Sequence, residues 1–353
     1  MQALTVIPHA AGSLAVREIS APEPGAGELL VEGLAVGVCG TDKEIVAGRY
    51  GWAPPGRERL VIGHESLGRV AHAPPDSGFA ADDLVVGVVR RPDPVPCGAC
   101  AHGEFDMCRN GRYTERGIKE LDGYASRHWK VETSYAVRLD PALAEVGVLL
   151  EPTSVVAKAW QQVEKVGSRA WFEPRTVLVT GAGPIGLLAA LLGVRRGLEV
   201  HVLDRVTEGR KPRLVAGLGA TYHSSGLAAA VEKVRPDVVI EATGAAQVVF
   251  DAIAATASYG VVCLTGVSPA GRAITIEAGT LNREIVLEND VVIGSVNAGL
   301  GHYAEAARAL AGADLGWLNG LITRRVPLSR FHEAFTPEPD DVKVIITLDA
   351  PAR

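Results

Sequence analysis

Thr176-Val177-Leu178-Val179-Thr180-Gly181-Ala182-Gly183-Pro184-Ile185-Gly186 is the stretch that decides the fold of this chain. Thr176 to Thr180 is a short apolar run, the pattern of a strand buried on both faces. The turn after it has the spacing G-x-G-x-x-G, and Gly186 to Arg196 then reads as a helix. Each glycine has a separate task in such a turn. Gly181 permits the sharp reversal, Gly183 lets backbone approach a pyrophosphate, and Gly186 lets helix and strand pack closely. The N-terminus of that helix supplies unpaired N–H groups and a dipole that favour a phosphate, and Pro184 and Ile185 in the turn count among the coenzyme residues. A glycine turn can also do no more than connect a strand to a helix. Here a second strand, Glu199 to Asp204, ends on an acidic residue about 20 positions on, where a ribose would be held. Asp204 accepts hydrogen bonds from ribose hydroxyls and repels a 2′-phosphate, which favours NAD. Arg205 can pair with that phosphate and keeps NADP open.

The same texture continues outward. Asp237 to Ala242, Gly260 to Thr265 and Val291 to Ser295 are further apolar runs separated by helical segments. Buried strands alternating with helices predict a doubly wound parallel sheet. Before it, the chain is rich in Gly and Pro, with short β-like runs such as Leu29 to Val36 and Leu84 to Val89. These predict an irregular β-domain that starts with a strand in Met1 to Ile7. A helix is expected from Thr153 to Val163, because Val155, Val156, Ala159 and Trp160 recur at helical spacing. An amphipathic helix is expected at Tyr303 to Leu310. A last strand, Val342 to Leu348, is expected to return to the first domain. The expected class is α/β: a β-rich domain over 1–155, a dinucleotide-binding domain over 156–298 and a returning segment over 299–353.

A chain of 353 residues exceeds one core of common size. Its net charge of −6 is not the footprint of a nucleic-acid binder. The apolar run near Leu187 to Leu192 is too short to span a bilayer, and the N-terminus lacks a basic start and long apolar run. No membrane or nucleic-acid partner and a cytoplasmic location are expected. Five cysteines agree with that compartment, since Cys97, Cys100 and Cys108 cluster as metal ligands do in intracellular enzymes. Cys263 falls in a buried strand and reads as inert core.

A second constellation lies in the first domain. Cys39-Gly40-Thr41-Asp42, Gly63-His64-Glu65-Ser66-Leu67-Gly68-Arg69-Val70 and Glu151-Pro152 offer Cys, His and Glu. All three types ligate zinc, and a catalytic zinc needs three protein ligands and an open position. Their separation in sequence leaves convergence open. A lone Cys39 is more often a small buried hydrophobe, and a lone His64 more often a hydrogen-bonded structural residue.

Taken together, these motifs resemble the zinc-dependent medium-chain dehydrogenase/reductase family over essentially the whole chain. Val89-Arg90-Arg91-Pro92-Asp93-Pro94, Tyr113 to Lys119, Asp122-Gly123-Tyr124, Leu150-Glu151-Pro152 and Gly294-Ser295-Val296-Asn297-Ala298 are similar to its glucose 1-dehydrogenase branch. The resemblance implies a GroES-like catalytic domain beside a Rossmann domain. It implies a catalytic zinc near Cys39, His64 and a carboxylate, Glu65 or Glu151. It implies Thr41 as the hydroxyl that relays a proton, with Glu115, Glu151 and Asn297 holding sugar hydroxyls. Thr243 and Asn297 join the coenzyme residues. The implied reaction removes a proton and a hydride at an anomeric carbon, yielding a lactone and NAD(P)H. Homodimers or homotetramers are usual in the family.

The family's structural-zinc lobe has four cysteines, and the first of those positions here is Pro94. Asp93 beside it could complete a Cys3Asp site with Cys97, Cys100 and Cys108, because carboxylate oxygen binds zinc. His102 and Asp106 sit at non-matching positions, and a lobe without metal is the alternative. A polyol, a threonine-type or another secondary alcohol competes as substrate. A non-catalytic dinucleotide-binding sensor competes as a class. Joint retention of Cys39, Thr41, His64 and Glu151 argues against the sensor. Aromatics at 5% argue against a simple alcohol pocket.

Overall fold

The computed structural model describes residues 1–268, 271 and 273–348. Two compact units make up the chain. One is Met1–Ser154 with the chain from Ala298 onward, and the other is Val155–Asn297.

The second unit holds six parallel strands. Their spatial order is Thr221–His223, Glu199–Leu203, Thr176–Thr180, Val238–Glu241, Val261–Leu264 and Val291–Gly294. Strand order reverses beside Thr176–Thr180, and ligands of such sheets bind at that switch point, outside the carboxyl ends of the strands. The glycine turn leaves from that spot. Leu178, Val239 and Val262 pack with Ala230 and Ala252 to form this unit's core. The helix after the turn is Pro184–Arg195, and Gly186 to Gly193 are all buried in it. Apolar on every side, it is a core helix. It begins two residues earlier than the sequence suggests, because proline suits a first helical position that needs no N–H partner. The expected strand at Val291 to Ser295 forms as Val291–Gly294, preceded by helix Ala278–Glu288. Asn289, in the left-handed region, separates them.

The first unit is built on the strand Glu28–Val38. Glu65–His72 pairs with it on one side and Lys343–Thr347 on the other, both antiparallel. The last strand of the chain therefore does return to this sheet. The register sets Gly37 opposite Glu65 on one flank and Ile345 on the other. Val36, Val38, Val344 and Ile346 pack with Leu4, Leu60 and Ile62 in the core.

Helix Gly40–Val46 is not foreseen by the sequence pattern. Only Asp42 and Ile45 are buried in it, so no apolar period announces it. Its cap is a cysteine, outside the usual Ser, Thr, Asp and Asn. Cys39 Sγ accepts from the Thr41 N–H at 3.2 Å, and the Asp42 carboxylate accepts from the Cys39 N–H at 2.9 Å. The helix Leu150–Gly167 extends past its expected limits at both ends. Pro152 is tolerated there because it lies in the first turn. No helix among the described residues is long and apolar enough to cross a membrane.

Candidate metal centre and dinucleotide site

Strand ends and the cysteine-capped helix bring three donors together in the first unit. Ligand atoms of Cys39, His64 and Glu65 all lie within 4.8 Å of one another. Cys39 Sγ and His64 Nε2 are 3.1 Å apart. On the far side of the imidazole, Nδ1 faces Asp42 Oδ1 at 3.4 Å. That order, carboxylate then histidine then metal position, fixes the ring and directs Nε2 at the ion. His64 and Asp42 are both buried. Burial alone would lower the His64 pKa, yet the neighbouring Cys39 and Asp42 hold it well above the ordinary value. The site thus favours positive charge, carried by a proton or by a cation. Thiolate, imidazole and carboxylate around a buried, electronegative point fit zinc.

Two further groups complete the surroundings. Lys343, fully buried on the last strand, forms an ion pair with Glu65 and donates to the Val38 carbonyl at 3.4 Å. A Cβ at Gly37 would strike the Glu65 carboxylate and come within 2.9 Å of Lys343 Cε. Glycine at this register position makes the pair possible. Glu151 is not brought within 4.8 Å of all three donors. Burial pushes its carboxyl up to about 7, helped by Glu65 and Asp42 and opposed by His64 and Lys343. Glu65 and Glu151 are therefore distinct in this structure: one is ion-paired among the metal donors, the other stands outside that group. Asp42 and Lys343 have no assigned role in the sequence reading. The capping spacing Cys39 to Asp42 could have pointed to the first. Nothing local marks the second.

Thr41, half-buried, lies two residues after the donor Cys39 on the same helix as Asp42, its N–H on the Cys39 sulfur. Glu115 is buried and held by Arg90, whose Nε and Nη2 reach Oε1 at 3.1 and 2.9 Å. Arg90 also lies over the Tyr113 ring at 3.7 Å and donates to the Asp106 carbonyl at 2.8 Å. Glu115 is thus a buried acceptor fixed in position by Arg90. Gly117, two residues on, packs on Gly63 so closely that a Cβ there would meet the Gly63 carbonyl oxygen at 2.6 Å. The Glu115 turn is therefore anchored to the residue preceding His64.

The three thiols of Cys97, Cys100 and Cys108 form a second group within 4.8 Å of one another. Asp93 is not part of it. One Asp93 oxygen accepts from the Val95 N–H at 2.8 Å, and the other lies 3.6 Å from Arg112 Nε. The His102 ring is engaged with the Gly98 carbonyl at 2.7 Å. Backbone N–H groups, that of Arg109 first, bring the Cys97 thiol down to about 6, while burial pushes Cys263 up to about 12. In chelator-treated protein at pH 7, iodoacetamide is expected to modify Cys97 first and to spare Cys263 until unfolding. Mass mapping of the modified peptides checks this. Protection of all three lobe thiols before chelation, with two zinc ions per chain, would establish a metal in the lobe.

In the second unit the glycine turn has the geometry its spacing requires. Gly181 has φ +94°, a conformation in which a side chain is strained. A Cβ on Gly186 would collide with the Gly181 carbonyl oxygen, and one on Gly183 would meet nothing within 4 Å. The open side at Gly183 leaves room for a phosphate to approach the backbone. Asp204 Oδ2 accepts from the Ala182 N–H at 2.8 Å and from Lys211 Nζ at 2.9 Å. Oδ1 accepts from the Val206 N–H at 3.2 Å. Burial alone would raise the Asp204 pKa; the bonds from Lys211 and Ala182 outweigh it and keep it below the ordinary value. Asp204 is thus partly neutralised by Lys211, a residue the sequence reading passes over. Thr243 is fixed by Glu241, a fully buried carboxylate that accepts from the Thr243 N–H at 2.7 Å and from the Gly244 N–H at 3.2 Å. Asn297 follows the last strand of the sheet with φ +63°.

A parallel-sheet dinucleotide unit with a β-unit carrying a Cys-His-carboxylate centre defines a metal-assisted dehydrogenase of the alcohol-oxidising type. Residues 25–141 match the alcohol dehydrogenase GroES-like domain, and residues 144–348 match the glucose dehydrogenase C-terminus. The chain is 39% identical to a glucose 1-dehydrogenase of Methanocella arvoryzae, covering 99% of this chain and 100% of that one. It is 41% identical to that of Thermoproteus tenax, covering 98% and 99%. Among solved structures, Haloferax mediterranei glucose dehydrogenase in complex with NADP, Zn and gluconolactone superposes with a TM-score of 0.90. Identity to it is 33%, with 99% of this chain and 100% of that chain covered. The chain belongs to the zinc-dependent medium-chain dehydrogenase/reductase family, in its glucose dehydrogenase branch.

Proposed function

We propose that this protein oxidises the anomeric carbon of D-glucose to the lactone with NAD(P)+ as hydride acceptor and zinc as cofactor. One observation carries the reading. The Cys39–His64 pair, with Asp42 behind the imidazole, occurs in a chain that matches glucose dehydrogenases along its whole length. When bound, zinc supplies Lewis acidity that lowers the pKa of a substrate hydroxyl, and NAD(P)+ takes the hydride. The rest is done by side chains. Cys39 and His64 hold the ion, with Glu65 or Glu151 as the carboxylate ligand. The Thr41 hydroxyl passes the departing proton toward solvent. Glu115, held in place by Arg90, accepts a hydrogen bond from a sugar hydroxyl, and Asn297 and Glu151 contact others. Gly181, Gly183 and the helix from Pro184 cradle the pyrophosphate, with Ile185, Gly186, Asp204, Arg205 and Thr243 completing the coenzyme contacts.

The test is NAD(P)H formation at 340 nm with glucose, galactose, xylose, a polyol and threonine, before and after metal chelation. Chelator-sensitive oxidation of glucose, with lactone trapped as its hydroxamate, supports the reading. Turnover confined to the polyol or threonine would overturn it.

Coenzyme choice follows from the ribose end. An unopposed Asp204 would exclude NADP. Paired with Lys211 and next to Arg205, it presents nearly neutral surroundings, so both coenzymes are accepted. Lys211→Ala is expected to raise the NADP KM about tenfold and the NAD KM much less. Equal changes for the two coenzymes would contradict that role.

The protein is also proposed to be a homo-oligomer. Strand Val291–Gly294 lies at the outer edge of the six-stranded sheet, and Val286 and Leu287 on the preceding helix are exposed. An outer strand beside exposed aliphatic residues is a ready pairing surface. Light scattering is expected to give a dimer or tetramer mass, and Val286→Lys with Leu287→Lys to shift it toward the monomer.

A further inference from the structure

Among the described residues of the second unit, Lys158 is a fully buried ammonium, and the reaction makes no use of it. It lies midway along the helix Leu150–Gly167. Its Nζ donates to the Val296 carbonyl at 2.9 Å. Its charge also reaches the Cys263 thiol on the strand Val261–Leu264. Taking an ammonium out of water costs several kcal/mol even after relaxation. A leucine or methionine would fill the same core position without that cost. The cost is accepted at one place, beneath the carboxyl ends of the last two strands of a doubly wound sheet. Ligands of such sheets bind just outside those ends.

The segment that Lys158 grips has the features of a held turn. Ser295 continues the sheet, its N–H donating to the Leu264 carbonyl at 2.9 Å. Val296 turns its side chain outward, 60% exposed, so the residue is tied inward by its carbonyl. Asn297 follows in the left-handed region, φ +63°. Asparagine tolerates that conformation, but a single such residue does not choose it unaided. The bond from Lys158 to the preceding carbonyl contributes to that constraint.

We infer that Lys158 is a positioning residue: its buried ammonium holds the Ser295–Asn297 turn so that Asn297 and the adjacent backbone face the nicotinamide end of the coenzyme and the sugar. This rests on the dehydrogenase reading above. Pyrophosphate and adenosine contacts are elsewhere, at Gly181 to Gly186 and Asp204. Loss of Lys158 should therefore disturb nicotinamide alignment far more than coenzyme affinity.

The experiment compares Lys158→Met and Lys158→Arg with the parent as zinc-loaded, folded protein. NADPH binding without sugar is followed by the fluorescence of its nicotinamide ring, and turnover is measured separately. Lys158→Met is expected to bind NADPH within about threefold of the parent while losing the emission change that reports an ordered ring. Its kcat is expected to fall about tenfold or more. Lys158→Arg, which keeps a donor, is expected to recover part of both. A methionine variant with parental emission and kcat would overturn the inference. So would one whose loss is fully explained by weaker NADPH binding or a smaller folded fraction. If the parent itself does not oxidise glucose, the substrate reading fails, and the emission measurement still decides the role of Lys158.

Discussion

Replacing His64 by alanine is expected to release one zinc per chain and to lower kcat/KM by about 10³-fold or more, since a Lewis acid contributes several kcal/mol and each 1.36 kcal/mol is tenfold. The geometry behind this is the 3.1 Å approach of Cys39 Sγ to the buried His64 Nε2. Remaining donors would be a thiol and a carboxylate already paired with Lys343. The graded companion is Asp42→Asn. It keeps the shape behind the imidazole but removes the charge, and zinc affinity is expected to fall about 10- to 100-fold. Competition with a chelator of known affinity measures both. Full zinc retention in His64→Ala would remove the metal centre from this location.

Removing Lys343 has the opposite sign for the metal. Burial alone would lower its pKa, but Glu65, and then Cys39, raise it above the ordinary value, so the ammonium is charged at neutral pH. Lys343→Met leaves Glu65 without its partner in a buried site that also holds Asp42 and Glu151. Breaking such a pair costs about 3–5 kcal/mol, and the metal-free protein is expected to melt about 10 °C lower. Zinc replaces the lost positive charge, and the released Glu65 can turn to it. The zinc-loaded variant is therefore expected to lose much less, and its zinc affinity to rise. Calorimetry with and without zinc separates these. Equal destabilisation in both forms would show that Lys343 serves packing alone. Gly37→Ala tests the same pair from the other side, because its Cβ would displace the Glu65 carboxylate.

Much of this was readable along the chain wherever the deciding interactions are local. The strand, glycine turn and helix at Thr176 to Arg195 depend on neighbours within a dozen residues, and each glycine serves a steric need that its spacing states. The strand Lys343–Thr347 is apolar enough to be recognised, and in the fold it pairs with both Glu28–Val38 and Ile322–Pro327. Cys39 and His64 could be nominated by residue type alone. Their convergence could not, because it depends on strand register across 25 residues. Helix Gly40–Val46 was silent because it buries only two residues and takes a cysteine cap.

Charge pairing was the least legible feature, since it is set by distance in space. Asp204 read as a free ribose acceptor until folding placed Lys211 on its carboxylate. Glu115 was nominated only through resemblance, and its burial against Arg90 is set by the fold. Glu65 and Glu151 were interchangeable in the sequence. They differ in the fold because Lys343 arrives from the far end of the chain and pairs with one of them. The sequence by itself determined the sheet, the phosphate turn and the kinds of donor, all through short-range sterics and hydrophobic periodicity. Only the tertiary structure decided which charges meet, because electrostatic partners are chosen by proximity after burial has raised the cost of leaving any of them alone.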